Sequence, residues 1–441
     1  MMQVVIQSDF HGTGGIRMKK IYYFDHAATT PLAPEALEAM EPYLHEDYGN
    51  ASALYDLGLR ARRGIEAARK SCASLIGATP AEIIFTSGGS ESDNWVLRGA
   101  VELYEMTRAE DVMADHLDRS GEIEEGGKCK AASAAGGHAH IITTEIEHHA
   151  ILNTCKYLEK HGVEITYLPV DARGFVSPDA VEKAIRANTC LISVMTANNE
   201  IGTIEPIEAI GEIARAHHIL FHTDAVQAYG HIPIDVEKLH IDLLSASSHK
   251  LNGPKGIGLL YIRRGIHFPS MIFGGEQEGG HRAGTENAAA IVGFGKAAEI
   301  ATATMPARIT EETTRRDHMI SRILKEIPLA TLNGDPETRL PNNINITIPY
   351  VDSEQLLYLL NGRSICASAG SACASGSIDP SHVLTAIGLT HEDAFSSIRF
   401  TIGHETTEED IDYVVNSLKD IVDTLRSQSV LYKEATSRRK P

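Results

Sequence analysis

The alternation of short apolar runs with amphipathic segments constrains the fold of this chain more than any other feature. From residue 140 to residue 222 the pattern predicts strands at 140–144, 164–168, 191–195 and 220–222, with helices at 148–161, 178–188 and 207–217. Strands and helices that alternate at this spacing form a mostly parallel sheet with helices on both faces. The chain is therefore predicted to be an α/β protein whose ligand binds where the strands end.

Polar residues follow five of the predicted strands, at the edge of the sheet where a ligand would lie. They are Ser90, Glu147 with His148, Asn198 to Glu200, Asp224 with Gln227, and Ser247 with His249 and Lys250. Taken alone, Asp224 could equally be a helix N-cap, and His148 could cap the helix that follows it. Coincidence is a much weaker explanation for polar residues at five strand ends than for polar residues at one.

Two of these strand ends have a chemistry of their own. Lys250 follows an apolar run and four small residues, and a Gly/Pro-rich turn comes after it. A lysine amine that is partly desolvated can form a Schiff base with a carbonyl group, although an isolated lysine beside a turn is usually a surface residue. Gly89 and Ser90 are predicted to begin a helix, and the free N–H groups of a helix start can bind a phosphate. An ordinary strand-to-helix connection capped by Ser90 explains these two residues equally well.

Composition excludes several classes of partner. The net charge of −19 argues against nucleic acid and anionic membranes. No apolar run approaches the roughly 20 residues that span a bilayer, so we expect a cytoplasmic protein. The six cysteines form no C-x-x-C pair, and neither a metal site nor a disulfide framework is predicted.

The chain is predicted to contain two domains. A large ligand-binding domain covers 21–285, and a smaller α+β domain covers 286–427, with helices near 288–304 and 308–326. Residues 1–20 are expected to be a disordered leader and 428–441 a frayed tail. The acidic, Gly/Ala-rich stretch 106–137 is predicted to be a surface insertion, with a short helix at 108–119 as an option.

Six motifs stand in order along the chain. They are FTSGGSESDN at 85–94, ANNEIG at 197–202, HTDAVQ at 222–227, SSHK at 247–250, RAGTEN at 282–287 and GSACASGS at 370–377. Together they resemble the cysteine desulfurases, pyridoxal-phosphate enzymes of the aminotransferase class V group, over residues 21–427 without the insertion. The resemblance implies a fold-type I pyridoxal-phosphate-dependent transferase. The chain departs from the family pattern at Ala51, Glu276, Gly279 and His404, none of which is a catalytic group.

The resemblance also implies roles around a cofactor. Lys250 would hold pyridoxal 5'-phosphate as a Schiff base, Asp224 would keep the pyridinium nitrogen protonated, and Gln227 would bind the phenolic oxygen of the ring. His148 would lie over the ring and assist proton transfer, and Asn199 would hold the cofactor or the substrate nearby.

Further positions would bind the phosphate and the substrate. The phosphate would lie against Gly89, Ser90, Ser247 and His249. By the resemblance, Thr285 would reach the phosphate of a partner subunit, which implies a homodimer. Arg399 would bind the carboxylate of the substrate, although a surface ion pair is the more usual fate of a strand arginine.

Cys373 is the residue that distinguishes a cysteine desulfurase from a generic aminotransferase in this sequence. It lies in 367–377, a stretch made only of Ala, Ser, Gly and Cys, which can bury little apolar surface and is expected to move easily. We expect Lys250 to remove the Cα proton of L-cysteine and the Cys373 thiolate to attack the substrate sulfur. The products would be L-alanine and a Cys373 persulfide, whose sulfur would pass to an iron–sulfur scaffold or a thiolation partner.

Other activities fit the same residues. A buried structural role is the alternative for Cys373. A selenocysteine lyase or a cysteine-sulfinate desulfinase would need that cysteine less, and a non-catalytic scaffold would keep the fold without turnover.

Overall fold

The computed structural model describes residues 20–120, 138–369 and 380–437, and the elements below lie in those ranges. In chain order the strands are β1 (Tyr22–Tyr23), β2 (Ile83–Thr86), β3 (His140–Thr144), β4 (Glu164–Leu168), β5 (Thr189–Ser193), β6 (Leu220–Asp224), β7 (Leu243–Ser247), β8 (Gly258–Ile262), β9 (Thr331–Leu332), β10 (Asn343–Thr347), β11 (Ile365–Cys366) and β12 (Ser397–Thr401). The helices are α1 (Pro34–Met40), α2 (Pro42–His45), α3 (Asp56–Ser74), α4 (Gly89–Ser120), α5 (His149–Glu159), α6 (Pro178–Ala184), α7 (Ile207–Ala216), α8 (Ala288–Glu326), α9 (Ser353–Gly362), α10 (His382–Ala386), α11 (His391–Phe395), α12 (Glu408–Gln428) and α13 (Val430–Ser437).

A seven-stranded sheet forms the larger part of the fold, in the order β2-β8-β7-β6-β5-β3-β4. The pairs from β7 to β4 are parallel, whereas β8 runs antiparallel to both of its neighbours. Every residue of β3, β7 and β8 is buried, as expected for strands covered on both faces. The predicted α/β class is confirmed, and the carboxyl ends of the parallel strands share one edge.

A smaller group of strands surrounds a second hydrophobic core. β12, β10 and β9 form a three-stranded sheet, and β1 pairs with β11 in parallel. Phe24, which follows β1, packs with Ile346 and Phe400 in this core. Phe24 therefore packs with residues of the predicted small domain, 286–427, although the sequence analysis placed it in the large domain, 21–285.

Helix α8 differs from the prediction of two helices at 288–304 and 308–326. It is one helix of 39 residues with Pro306 inside it. A proline in a helix removes one backbone hydrogen bond, at a cost of about 3 kcal/mol. α8 packs on α1 and α3 and also on α12, and this packing along its length explains why the helix continues through Pro306.

Two other segments are more helical than expected. α4 continues to Ser120, so the short separate helix predicted at 108–119 is instead the extension of α4. The tail expected to fray from residue 428 contains α13, in which Tyr432 lies under the Arg426 guanidinium, 5.0 Å from ring centroid to Cζ. Within the described ranges, no helix is both long and apolar enough to cross a membrane.

Candidate active site

A cavity of about 200 Å³ lies at the carboxyl edge of the large sheet. Its lining includes Gly89, Ser90, His148, Asn199, Asp224, Gln227, Ser247, His249, Lys250 and Arg399. Every predicted site residue is in that group except Thr285 and Cys373. The strand ends that the sequence predicted to converge therefore line one cavity.

Lys250 reaches the cavity from the end of β7. β7 is wholly buried, and one 3-10 turn, Ser248–Lys250, follows it directly. The Lys250 Nζ donates hydrogen bonds to the carbonyl oxygens of Ala27 at 2.6 Å and Ala28 at 2.8 Å. The Nε2 of His231 donates to the Lys250 carbonyl oxygen at 2.8 Å, which fixes the backbone of the turn. Lys255 is exposed, and it is not among the lining residues.

Asp224 is the last residue of β6 and forms the floor of the cavity. One of its oxygens accepts the Val226 N–H at 2.9 Å. Burial raises the pKa of Asp224 to about 6, against the hydrogen bond from Val226 and the charge of Lys250, which lower it. A buried carboxylate that faces an open space is suited to bind a protonated ring nitrogen.

Two more carboxyl groups are buried near Asp224. Burial, and then the charge of Asp224, raise the pKa of Asp93 well above its usual range. Burial raises the pKa of Glu147 to about 8. His222 lies 3.8 Å from Asp93, between Nε2 and Oδ1, and burial lowers its pKa to about 3. Burial therefore acts against the charged form of each of these three groups beside Asp224.

The first turn of α4 is suited to a phosphate. α4 begins at Gly89, and the first N–H groups of a helix have no partner within the helix. A Cβ at Gly89 would lie 2.6 Å from Val226 Cγ2 and 3.9 Å from Ser247 Cβ, so only glycine fits there. His249 contacts the hydroxyl of Thr29 at 3.1 Å from its Nδ1, and burial lowers the His249 pKa to about 4.

His148 combines the two roles that the sequence left open. It is the N-cap of α5, because its Nδ1 accepts the Ala150 N–H at 3.1 Å. It also lines the cavity. Burial and the charge of Lys250 lower the pKa of His148 to about 4, so the ring is neutral at pH 7. With Nδ1 used as an acceptor, the neutral ring carries its proton on Nε2.

Arg399 comes from β12 of the smaller sheet and is 1% exposed. Its Nη2 donates to Asp25 Oδ1 at 2.9 Å, and its Nη1 donates to the Asn199 carbonyl oxygen at 2.9 Å. The Nε is buried and has no hydrogen-bond partner among the described residues. Arg399 is thus a buried cation in the cavity wall, held in place by Asp25 and the Asn199 carbonyl oxygen.

Residues 25–30, which we call the site wall, were missed as functional residues. The Ala27 carbonyl oxygen accepts from Gln227 Nε2 at 3.0 Å as well as from Lys250. Asp25 holds Arg399, and Thr29 contacts His249. The wall therefore contacts four predicted site residues, largely through backbone oxygens. The only available signal was the run of small residues after Asp25, which allows such close contacts.

Thr285 and Cys373 are the two predicted site residues that were not found in the cavity lining, Cys373 because it falls outside the residues that the structure describes. Thr285 is exposed, and it follows Arg282, which pairs with Glu91 in the first turn of α4 at 2.9 Å between Nε and Oε1. Cys373 lies outside the described residues. Ser368, five positions before it, exchanges backbone hydrogen bonds with Arg399. Ser368 is therefore held against Arg399, a residue of the cavity lining.

Comparison with known proteins gives one family. Residues 22–115 and 129–414 match the family described as aminotransferase class-V. "Cysteine desulfurase IscS" of Methanosarcina thermophila is 49% identical over 417 residues, which cover 93% of this chain and 94% of the relative. A solved "NifS-like protein" has a TM-score of 0.79 at 35% identity, covering 92% of this chain and 100% of its own. The structure titled "SspA in complex with cysteine" has a TM-score of 0.69 at 36% identity, covering 86% and 98%.

Proposed function

The chain belongs to the aminotransferase class-V family and is a cysteine desulfurase, and we propose that it takes sulfur from L-cysteine in the cavity around Lys250. The observation that carries the assignment to this cavity is that Lys250, Asp224, His148 and Arg399 line one space. A lysine, a buried carboxylate, an imidazole and a guanidinium are the groups that amino-acid chemistry on pyridoxal phosphate requires.

The residues present fit pyridoxal 5'-phosphate, the cofactor of this family. Lys250 would bind its aldehyde carbon, Asp224 the ring nitrogen and Gln227 the phenolic oxygen. Gly89, Ser90, Ser247 and His249 would bind the phosphate, at the positive end of the α4 dipole. When bound, the cofactor would supply an electron sink for the charge that develops at the substrate Cα.

Each side chain then has a defined task in our proposal. Lys250 would accept the Cα proton, as its amine already lies between two backbone acceptors in the cavity. His148 would receive or return a proton at the ring nitrogen that its capping bond leaves free. Arg399 would bind the substrate carboxylate through its guanidinium group, and Asn199 would line the same place.

We propose that Cys373 accepts the sulfur. Cys373 is five positions after Ser368, which pairs with Arg399, and a chain of five residues can span up to about 18 Å. The thiolate would attack the sulfur of L-cysteine, and a persulfide would form as the carbon–sulfur bond of the substrate breaks. L-alanine leaves after the carbon takes up a proton.

We propose two partners for this chain, a second copy of itself and a protein that accepts the sulfur. Thr285 is exposed, and the ion pair of its neighbour Arg282 with Glu91 holds this segment against the first turn of α4. We propose a homodimer in which Thr285 contacts the phosphate bound by the partner subunit. Since relatives are named IscS, we propose an iron–sulfur scaffold as the sulfur acceptor.

Mass spectrometry after addition of L-cysteine tests the mechanism. The peptide that contains Cys373 should gain the mass of one sulfur atom, and Cys373→Ser should release no sulfide from L-cysteine. Cys366→Ser is the matched control, since Cys366 lies seven positions earlier and should leave both readouts unchanged.

Other outcomes would identify the rival functions. Full sulfide production by Cys373→Ser would refute the persulfide step. Turnover of selenocysteine or cysteine sulfinate without turnover of cysteine would favour those activities. A colourless purified protein, with no absorbance to lose in Lys250→Ala, would instead indicate a scaffold without catalysis.

A further inference from the structure

His26 is a buried residue of the site wall for which the proposed chemistry has no use. Its ring is 4% exposed, and it is not among the residues that line the cavity. The Nδ1 lies 2.9 Å from the Thr401 carbonyl oxygen, and the Nε2 lies 2.8 Å from Glu405 Oε1. Neither a carbonyl nor a carboxylate oxygen can donate a hydrogen bond. Both ring nitrogens therefore lie within hydrogen-bonding distance of an oxygen acceptor.

Glu405 is the acidic partner of His26. Burial acts to raise the pKa of Glu405, but the hydrogen bond and charge of His26 outweigh burial and lower this pKa to about 2. Its other oxygen lies 3.2 Å from His404 Nδ1, on the exposed side of the turn. Gly403 makes room for the pair, because a Cβ there would lie 2.3 Å from His26 Nε2. The turn after β12 is thus shaped around the His26 ring.

The other charged and titratable groups near His26 do not replace Glu405. They are Tyr23, Asp25, His231, Arg308, Glu312 and His404. Glu312 is paired with Arg308 at 3.3 Å, and burial raises the pKa of Glu312. Asp25 is paired with Arg399. Burial lowers the pKa of His231 to about 3, so that ring is neutral. Glu405 is therefore the carboxylate that pairs with the His26 ring.

The two neighbours of His26 in the chain are the residues that contact the site. Asp25 holds the Arg399 guanidinium, and the Ala27 carbonyl oxygen holds Lys250 and Gln227. The Ala27 N–H also donates to Thr401 Oγ1 at 2.8 Å. A shift of the His26 ring would therefore move the groups that place both the substrate arginine and the cofactor lysine.

We propose that His26 is a positioning residue, whose ion pair with Glu405 fixes the site wall against the turn after β12 and so sets the geometry of Arg399 and Lys250. His26 touches neither substrate nor cofactor in this proposal, which rests on the proposed function of the cavity. A displacement of the wall would weaken binding of the substrate carboxylate before it affects the proton transfers.

The test compares Glu405→Gln and His26→Gln with the wild type. Glu405→Gln keeps the shape of the side chain and removes its charge. We expect the KM for L-cysteine to rise about tenfold in each variant, with a smaller change in kcat, because a hydrogen bond between charged groups is lost. The double variant should resemble either single variant, since both break the same pair. His404→Gln, which touches the other oxygen of Glu405, is the control and should keep the wild-type KM.

A second readout does not depend on turnover. The dissociation constant of pyridoxal phosphate, measured by titration of the cofactor-free protein, should rise in both variants and stay unchanged in His404→Gln. A purely structural role would lower the melting temperature and leave the KM and this constant within twofold of the wild type, and that result would overturn the proposal. If His26→Gln does not fold, the KM and the dissociation constant of Glu405→Gln test the proposal on their own. Failure of the proposed function would appear separately, as a wild-type protein that forms no persulfide.

Discussion

Replacement of Asp224 by asparagine should make the cofactor-free protein more stable while it damages catalysis. The pKa of Asp224 rises from 3.8 to about 6 in the folded chain, chiefly through burial. Since the folded state holds this proton more tightly than the unfolded chain, ionisation of Asp224 costs stability as the pH rises towards and past about 6. At 1.36 kcal/mol per pKa unit, the cost at pH 7.5 is about 3 kcal/mol. Asparagine keeps the acceptor for the Val226 N–H and avoids that cost.

Urea unfolding of both proteins without cofactor, at pH 7.5 and at pH 5, measures this difference. We expect Asp224→Asn to have the larger free energy of unfolding, by about 3 kcal/mol at pH 7.5 and roughly half of that at pH 5. Its desulfurase activity should fall by roughly 10² to 10³, because a preorganised charge opposite the ring nitrogen is lost. Asp352→Asn, at the exposed N-cap of α9, is the control and should show no such pH-dependent gain. Equal stability at pH 7.5, or a gain that does not shrink at pH 5, would refute the burial argument.

Two further substitutions test the phosphate and substrate ends of the cavity. Gly89→Ala should weaken binding of pyridoxal phosphate about tenfold, because the added methyl group would lie 2.6 Å from Val226. An absorbance titration with the cofactor measures this change. Gly362→Ala, which adds a methyl group in open space, is the control. Arg399→Lys should raise the KM for L-cysteine by more than tenfold in steady-state assays while the cofactor absorbance is retained, because lysine cannot contact Asp25 and a carboxylate with the geometry of a guanidinium. An unchanged KM would remove Arg399 from the substrate site.

Most of the large sheet could be predicted because its strands are buried on both faces and appear as apolar runs. β3 and β4 have the predicted bounds, whereas β5 begins and ends two residues earlier than expected. Helix α8 was predicted as two helices because a proline is a strong local signal for a break. Its continuity depends on packing against α1, α3 and α12, which no local pattern records.

The side chains of the cavity could be predicted, and the site wall could not. Lys250, Asp224 and His148 lie at the end of a strand or within four residues of it, so their position in the chain indicates their position in space. Ala27 acts through its carbonyl oxygen, a group that every residue has. The pairing of Asp25 with Arg399 joins residues 374 positions apart, and nothing near either residue in the sequence announces the other. The role of Cys373 stays a prediction.

That separation also orders events during protein synthesis. A ribosome adds about 5 to 20 residues per second, so Asp25 waits roughly 20 to 75 s for Arg399 to be made. The strands of the large sheet, Ile83 to Ile262, all leave the ribosome within that interval. The nascent chain can therefore assemble its main sheet before Asp25 can pair with Arg399. Tight cofactor uptake is accordingly expected from the finished polypeptide rather than from the growing one.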